Sequence, residues 1–392
     1  SGSAACAFTI DNDFTPSDTD FLPLNTVNLP EIEIGQGGDG TLSTDFFNMV
    51  TWTGNDSNPR NITGFGFDPD LVAAKERSLS LSWSVYDTVR GAGNDKEMLW
   101  DQTTVEGGSN QSEYGFLSAF ITDGFTAAAG TSTPHYYFNM NTKPYIAYGW
   151  LAGTAYSGDS TGSGDAKAYS GQSNEKAGFS VSTFLGNGSA GHTIPHNLSV
   201  APDFVVVKRR TSADSWFIFH TKNTSAPATD YLMLNYTNAT ADLDTIWSDV
   251  VPTSSVVSLG TNTGVNADDA PYLMYCWHSV EGFSEFNSYT GNGSTDGTFV
   301  HCGFTPSWVC VKRTDTTGSW ETVDNKRTNQ TNPIDMDILL NDYAAEYEAD
   351  RMDFVSNGFK LRTTSAAFNA SGGTYIFMAF SSGTGFKYAT AR

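Results

Sequence analysis

The sequence is poor in charge and poorer still in cations. Only 16% of its 392 residues are charged, and 21 Lys and Arg stand against 43 Asp and Glu, a formal net charge of −22. Such a surface repels phosphate, which excludes nucleic acid as a main partner, and it repels an anionic membrane face. No stretch approaches the roughly 18 apolar residues of a membrane span, so no membrane insertion is expected. Cysteine is scarce. Cys6, Cys276, Cys302 and Cys310 form neither a CxxC pair nor a dense framework. They read as buried reduced thiols, with a Cys302–Cys310 bridge as the open alternative.

Catalytic signatures are missing too. The chain has no GxSxG elbow and no Walker loop. Its histidines are His135, His192, His196, His220, His278 and His301. Pro195 lies between His192 and His196, so they cannot present a metal pair on one helix face. His220 stands where other parts of the chain carry Tyr86-Asp87 or Val323-Asp324. The carboxylate pairs Asp268-Asp269 and Glu346/Glu348 read as solvated surface rather than as two acids flanking a glycosidase cleft. Asp315, Asp324, Asp335 and Asp337 are better motivated, as calcium candidates, but no EF-hand pattern arranges them. No catalytic, cofactor-binding or metal site is assigned and no cofactor is expected. The ligand-binding residues stay open, and the chain reads as a non-enzyme.

What is present is a repeat. Gly54, Pro69, Lys75 and Trp83 recur as Gly186, Pro202, Lys208 and Trp216, and again as Gly291, Pro306, Lys312 and Trp320. Pro to Lys is six residues and Lys to Trp is eight in every copy, while Gly to Pro is 15, 16 and 15. Each copy also ends alike, at Tyr145 to Trp150, Tyr272 to Trp277 and Tyr375 to Phe380. Fixed order at fixed spacing marks a duplicated structural unit. The Pro-to-Pro pitch is 133 and then 104, an excess of 29 in the first interval. Residues 153–177, Gly/Ser-rich and nearly devoid of large aliphatics, account for it as a flexible linker. The expected division is therefore an acidic arm over 1–45, modules over 46–152, 178–282 and 283–392, and that linker between the first two. On this reading the second and third modules are tightly coupled and the first stands off.

Within each module, β-branched runs such as DFVVVK and SWVCVK follow the Pro and read as buried strands, with the Lys where the strand leaves the core. SWSVYD, SWFIFH and SWETVD alternate as half-buried strands do. PYIAYGW, PYLMYCW and TYIFMAF are almost wholly apolar, as central strands are. Asn187-Gly188, Asn292-Gly293 and Asn357-Gly358 supply turns. One short helix is expected over Asp342–Asp350. The fold class is all-β: three tandem antiparallel β-sandwich modules, jelly-roll-like, behind an extended N-terminal arm. Trp83, Trp216 and Trp320 share one position in all copies and read as core. The unshared Tyr136, Tyr137 and Tyr169 are the better ligand candidates.

The stretches ITGFGFDPDLVAAKERS (62–78), VYDTVRGA (85–92), AGFSVSTFLGNGSAGHTIPHNLSVAPDFVVVKRR (177–210) and EGFSEFNSYTGNGSTDGTFVHCGFTPSWVCVKR (281–313) resemble a repeated β-domain family of marine tailed bacteriophages. So does the C-terminal NGFKLRTT, NASGGTYIFMAF and FKYATAR, and the likeness spans about residues 46–392. Members of that family are labelled tail fibre or virion structural protein. Many carry a concanavalin-like module upstream, where this chain has residues 1–45. The resemblance implies a virion protein assembled in the host bacterial cytoplasm: a tail fibre or host-recognition appendage binding a cell-surface glycan or protein. A capsid decoration protein or head fibre, a glycan depolymerase and a secreted cellular adhesin are the alternatives. The implied partners are further copies of the chain, as a homotrimer, other virion proteins through the arm, and a host surface glycan.

Overall fold

The computed structural model describes residues 42–383 apart from 110, 133–134 and 328–330. Cys6, nearly all of the arm expected over 1–45 and the last nine residues lie outside the described residues. The first module runs β1 (Phe47–Thr53), β2 (Arg60–Thr63), β3 (Leu71–Glu76), β4 (Ser84–Asp87), β5 (Met98–Leu99), β6 (Phe116–Ile121), β7 (Gly124–Ala128) and β8 (Pro144–Trp150). Three more strands follow: β9 (Thr154–Asp159), β10 (Thr161–Gly162) and β11 (Ala168–Asn174). The second module runs β12 (Phe179–Leu185), β13 (His192–Pro195), β14 (Phe204–Arg209), β15 (Trp216–His220), β16 (Asp230–Met233), β17 (Ala241–Asp242), β18 (Val256–Leu259) and β19 (Pro271–Trp277). The third runs β20 (Ser284–Thr290), β21 (Phe299–His301), β22 (Trp308–Arg313), β23 (Trp320–Asp324), β24 (Ile334–Leu339), β25 (Tyr347–Val355), β26 (Gly358–Leu361) and β27 (Thr374–Phe380).

One topology is used three times. The main layer is ordered β1-β8-β3-β4-β5 in the first module, β12-β19-β14-β15-β16 in the second and β20-β27-β22-β23-β24 in the third. The opposing layer is β2-β7-β6, then β13-β18, then β21-β26-β25. All these pairings are antiparallel, and in the third module β24 also pairs with β25. That joins its two layers into one nearly closed eight-stranded sheet. The all-β expectation holds. The jelly-roll wrap is confined to the outer strands, because each module's third strand pairs with its sequence neighbour as a meander.

Two expectations about secondary structure are corrected. Residues 153–177 are not a loose linker. β11 pairs with β12 over Tyr169↔Phe184 to Asn174↔Phe179, β9 pairs with β11, and β10 pairs with β13. The 29-residue excess is a strand insertion that extends both layers of the second module. Second, Asp342–Asp350 is not a helix. Its C-terminal residues enter β25, which lies between β24 and β26 in the sheet and so has ladder partners on both sides.

The apolar closing strands have a specific cause. On β8, Ile146, Tyr148 and Trp150 face one core while Tyr145 and Ala147 face another. β19 splits the same way, with Leu273, Tyr275 and Trp277 against Tyr272, Met274 and Cys276. β27 does so with Ile376, Met378 and Phe380 against Tyr375, Phe377 and Ala379. One set in each case fills the module's own sandwich. The other sets from all three modules meet in a single aromatic core. There Trp150 contacts Trp277 at 6.0 Å, Trp308 at 6.4 Å and Phe380 at 5.9 Å between ring centroids. Both faces of these strands are therefore buried, which leaves no polar position in their alternation. The first module does not stand off: it contributes as fully to the shared core as the others.

The recurring residues explain themselves in this frame. A Cβ on Gly54, Gly186 or Gly291 would lie 1.9 to 2.3 Å from the carbonyl oxygen of Met140, Ala267 or Ala370, so the backbones meet too closely for any side chain. Tyr145, Tyr272 and Tyr375 tie the same segment, each accepting a backbone N–H from Met140, Ala267 or Ala370 through its hydroxyl. Trp83, Trp216 and Trp320 are fully buried, as expected of core. Cys276, Cys302 and Cys310 are buried free thiols, and the Cys302–Cys310 bridge is not made.

Candidate functional site

The three modules close into a ring through equivalent contacts. The Trp83 indole donates to Leu339 O at 2.7 Å, Trp320 to Met233 O at 3.0 Å and Trp216 to Leu99 O at 2.9 Å. Each acceptor ends the fifth main-layer strand of the next module, so the contacts run first to third, third to second and second to first. The repeated lysines follow the same circuit. Lys75 Nζ donates to Leu81 O and to Tyr343 O of the third module. Lys208 Nζ donates to Ser212 O, Asp214 O and, in the first module, Thr103 O. Lys312 Nζ donates to Gly318 O and, in the second module, Thr237 O. Burial lowers all three from 10.5 to about 8. These lysines were expected where their strands leave the core; they are instead buried pins between modules.

Beside each pin lies a second connection, and here the repeat breaks. Between the first two modules, Arg90 bonds Asp87 at 2.5 Å and Glu106 at 3.2 Å, and Glu106 reaches Arg210 at 2.6 Å. Tyr275 of the second module donates to Asp87 at 3.0 Å. Between the third and first modules, Arg327 bonds Asp324 at 2.6 Å and Glu346 at 3.3 Å, and Glu346 reaches Arg77 at 2.8 Å. Tyr148 donates to Asp324 at 3.0 Å. Burial opposes the charge of Arg90 and Arg327, and the neighbouring carboxylates more than offset it, so both stay charged.

Between the second and third modules every member is replaced by a neutral group. His220 stands for the aspartate, Asn223 for the arginine, Thr240 for the glutamate, Thr314 for the far arginine and Met378 for the tyrosine. The backbone equivalence is direct: Glu106 N donates to Arg210 O at 2.9 Å, Glu346 N to Arg77 O at 2.8 Å and Thr240 N to Thr314 O at 3.0 Å. Burial lowers His220 to about 4, so it is neutral at pH 7. Thr240 donates its hydroxyl to Asn223 Oδ1 at 2.6 Å. Asn223 is only 7% exposed and its Nδ2 has no partner.

The surface over this neutral seam opens into a cleft of about 590 Å³. Lys222, Asn223, Thr224 and Thr240 line it from the second module, and Ser288, Thr290, Thr314 and Thr374 are among its residues from the third. Tyr289 and Tyr375 form part of its wall, but they stack on each other at 4.9 Å and are buried. Asp315 at the rim is held by Arg313 at 2.8 Å.

The residues singled out in the sequence fall elsewhere. Tyr136 and Tyr137 are half-buried against Tyr114, and Tyr169 against Tyr156. Asp268 and Asp269 flank Lys167. Each ring nitrogen of His192 is engaged, by Asn266 and Ser160, while His196 Nε2 meets Thr253 O. Of the calcium candidates, Asp315, Asp324 and Asp337 are each paired with an arginine, and the four are not brought together. Among the described residues no group of three or more His, Cys, Asp and Glu is disposed to hold a metal ion.

The structure adds a pair that sequence spacing could not show. Glu321 on β23 and Asp337 on β24 meet across the ladder, and the Tyr347 hydroxyl lies 3.0 Å from one and 2.9 Å from the other. A single phenolic proton cannot serve two carboxylates. Burial, then Asp337, raises Glu321 to about 8, so it carries the missing proton at neutral pH. The ionic chains left a visible trace: Asp87/Arg90 and Asp324/Arg327 sit 18 and 21 residues after the repeated Pro, where the second copy has His220 and Asn223.

No curated protein and no solved structure matches the chain. A family model does, over residues 42–383, nearly all of the ring described above. The chain belongs to the family described as Domain of unknown function (DUF7483).

Proposed function

We propose that the chain is a structural component of a tailed-phage virion, a tail fibre or host-recognition appendage that binds a cell-surface glycan or protein and acts without catalysis. The observation that carries this reading is the closed ring of three modules around one shared core. It gives a rigid body with three sets of outward loops, and the sequence likeness to phage tail fibre and virion structural proteins points the same way. The ring also bears on the expected homotrimer. The threefold-like arrangement arises within one chain, so the partner that suits it best is itself threefold, either further copies or another virion protein. An acidic, lightly charged surface keeps such a particle soluble. Glu321 and Asp337 do not favour a depolymerase, because they face each other through Tyr347 rather than across a cleft.

Electron microscopy of the intact virion with an antibody to this chain tests the assignment. Label at the tail tip or fibres is expected, together with competition of host adsorption by the purified protein. Label on the capsid lattice would transfer the chain to the head-decoration alternative.

A further inference from the structure

We propose that the cleft between the second and third modules is a binding site for a neutral saccharide. This deepens the reading above and rests on it for its biological setting. At the other two seams a buried arginine and a glutamate fill the equivalent place with matched charge. Here the same backbone frame carries Asn223, Thr240 and Thr314, and the space over them is open.

The lining chemistry selects the ligand. Ser288 and Thr290 present exposed hydroxyls at the mouth, Thr374 stands beside them with its hydroxyl 2.9 Å from that of Thr314, the Thr224 hydroxyl is taken up by Asp230, and Asn223 with Thr240 and Thr314 forms the floor. Hydroxyl and amide groups both donate and accept, as sugar hydroxyls do. The buried Asn223 amide has an unsatisfied donor, a costly state that an acceptor brought by a ligand relieves with a small shift of the side chain. Polyanions are disfavoured, since the chain bears a net charge of −22 and Lys222 is the only cation lining this cleft among the described residues. Cations are disfavoured as well, because the rim carboxylate of Asp315 is already engaged by Arg313. With Tyr289 and Tyr375 stacked on each other, hydrogen bonds rather than ring stacking supply the specificity.

The molecule provides its own control. The double variant Asn223→Arg with Thr240→Glu writes into this seam the pair that the fold already accommodates at the other two. Titration calorimetry of the full chain would use neutral oligosaccharides of glucose, galactose, mannose and N-acetylglucosamine, with polygalacturonate as the acidic counterpart. Binding of at least one neutral sugar is expected, weakened about tenfold or more in the double variant while its thermal midpoint is kept. Should that variant fail to fold, the rim variants Ser288→Ala and Thr374→Ala replace it and are expected to weaken binding without moving the midpoint. No neutral sugar bound, polygalacturonate alone bound, or binding unaltered in the folded variants would overturn the proposal. Sugar binding in this cleft by a chain that does not compete for host adsorption would sustain the site and remove the appendage reading instead.

Discussion

A buried ammonium is an expensive group, and this chain carries three in equivalent places. Lys75, Lys208 and Lys312 are each fully buried with backbone carbonyls as acceptors. Replacing Lys208 by Met leaves Thr103 O, Ser212 O and Asp214 O without their donor. The expected loss is about 1.5–3 kcal/mol, the usual worth of hydrogen bonds to a charged group, read from urea unfolding. Glu321 makes a pH-dependent counterpart. Its folded value of about 8 lies above the ordinary 4.5, so between those values the folded state holds more protons than the unfolded one. Its contribution is complete below pH 4.5 and is lost as pH rises through 8. Glu321→Gln, whose amide can still donate to Asp337, should therefore gain stability relative to the wild type as pH climbs from 5 to 8. A difference in unfolding midpoint that stays flat over that range would contradict the assignment.

At the scale of elements, legibility followed burial. The Pro-Lys-Trp spacing and the apolar closing strands were readable because the same backbone environment recurs three times and both faces of those strands are dry. β9 and β11 were not readable. β9 is mostly exposed, and the pair is held mainly by ladder bonds to the edge of β12, with Tyr169 the one large apolar side chain it packs on the second module's core. A small polar strand on a sheet edge has the composition of a linker. The Asp342–Asp350 stretch misled for a different reason, because its Ala and Glu content suits a helix while pairing of Tyr347 and Glu348 with β24 overrides propensity. The repeated glycines yield a prediction at this level. Gly291→Ala would place a Cβ 2.3 Å from Ala370 O, and Gly186→Ala one at the same distance from Ala267 O. Both contacts are with backbone, which cannot swing away. Each variant is expected to cost about 1–3 kcal/mol, the range of overpacked sites, and to do so alike in the two modules when followed by thermal unfolding.

The described residues form a ring with two charged seams and one neutral seam, an asymmetry that lies in contacts between modules rather than in the spacing along any one of them. Sequence spacing located equivalent residues, but only the closed ring shows that Asp87 and Asp324 bond Tyr275 and Tyr148 across module boundaries, while His220 Nε2 meets the backbone carbonyl of Phe377. The seams should respond differently to the same change. Arg90→Met leaves the buried Asp87 and the half-buried Glu106 without their shared cation, and breaking a buried pair from one side costs about 3–5 kcal/mol. Asn223→Met removes one bond to Thr240 and an amide donor that has no partner, so its cost should be about 1 kcal/mol or less, the net worth of one neutral hydrogen bond. Because all three modules share the aromatic core, both losses should appear in a single cooperative calorimetric transition of the whole chain rather than in the melting of one module. Equal costs at the two positions would mean that the ionic chains add nothing to the ring, and separate transitions would mean that the shared core does not couple the modules.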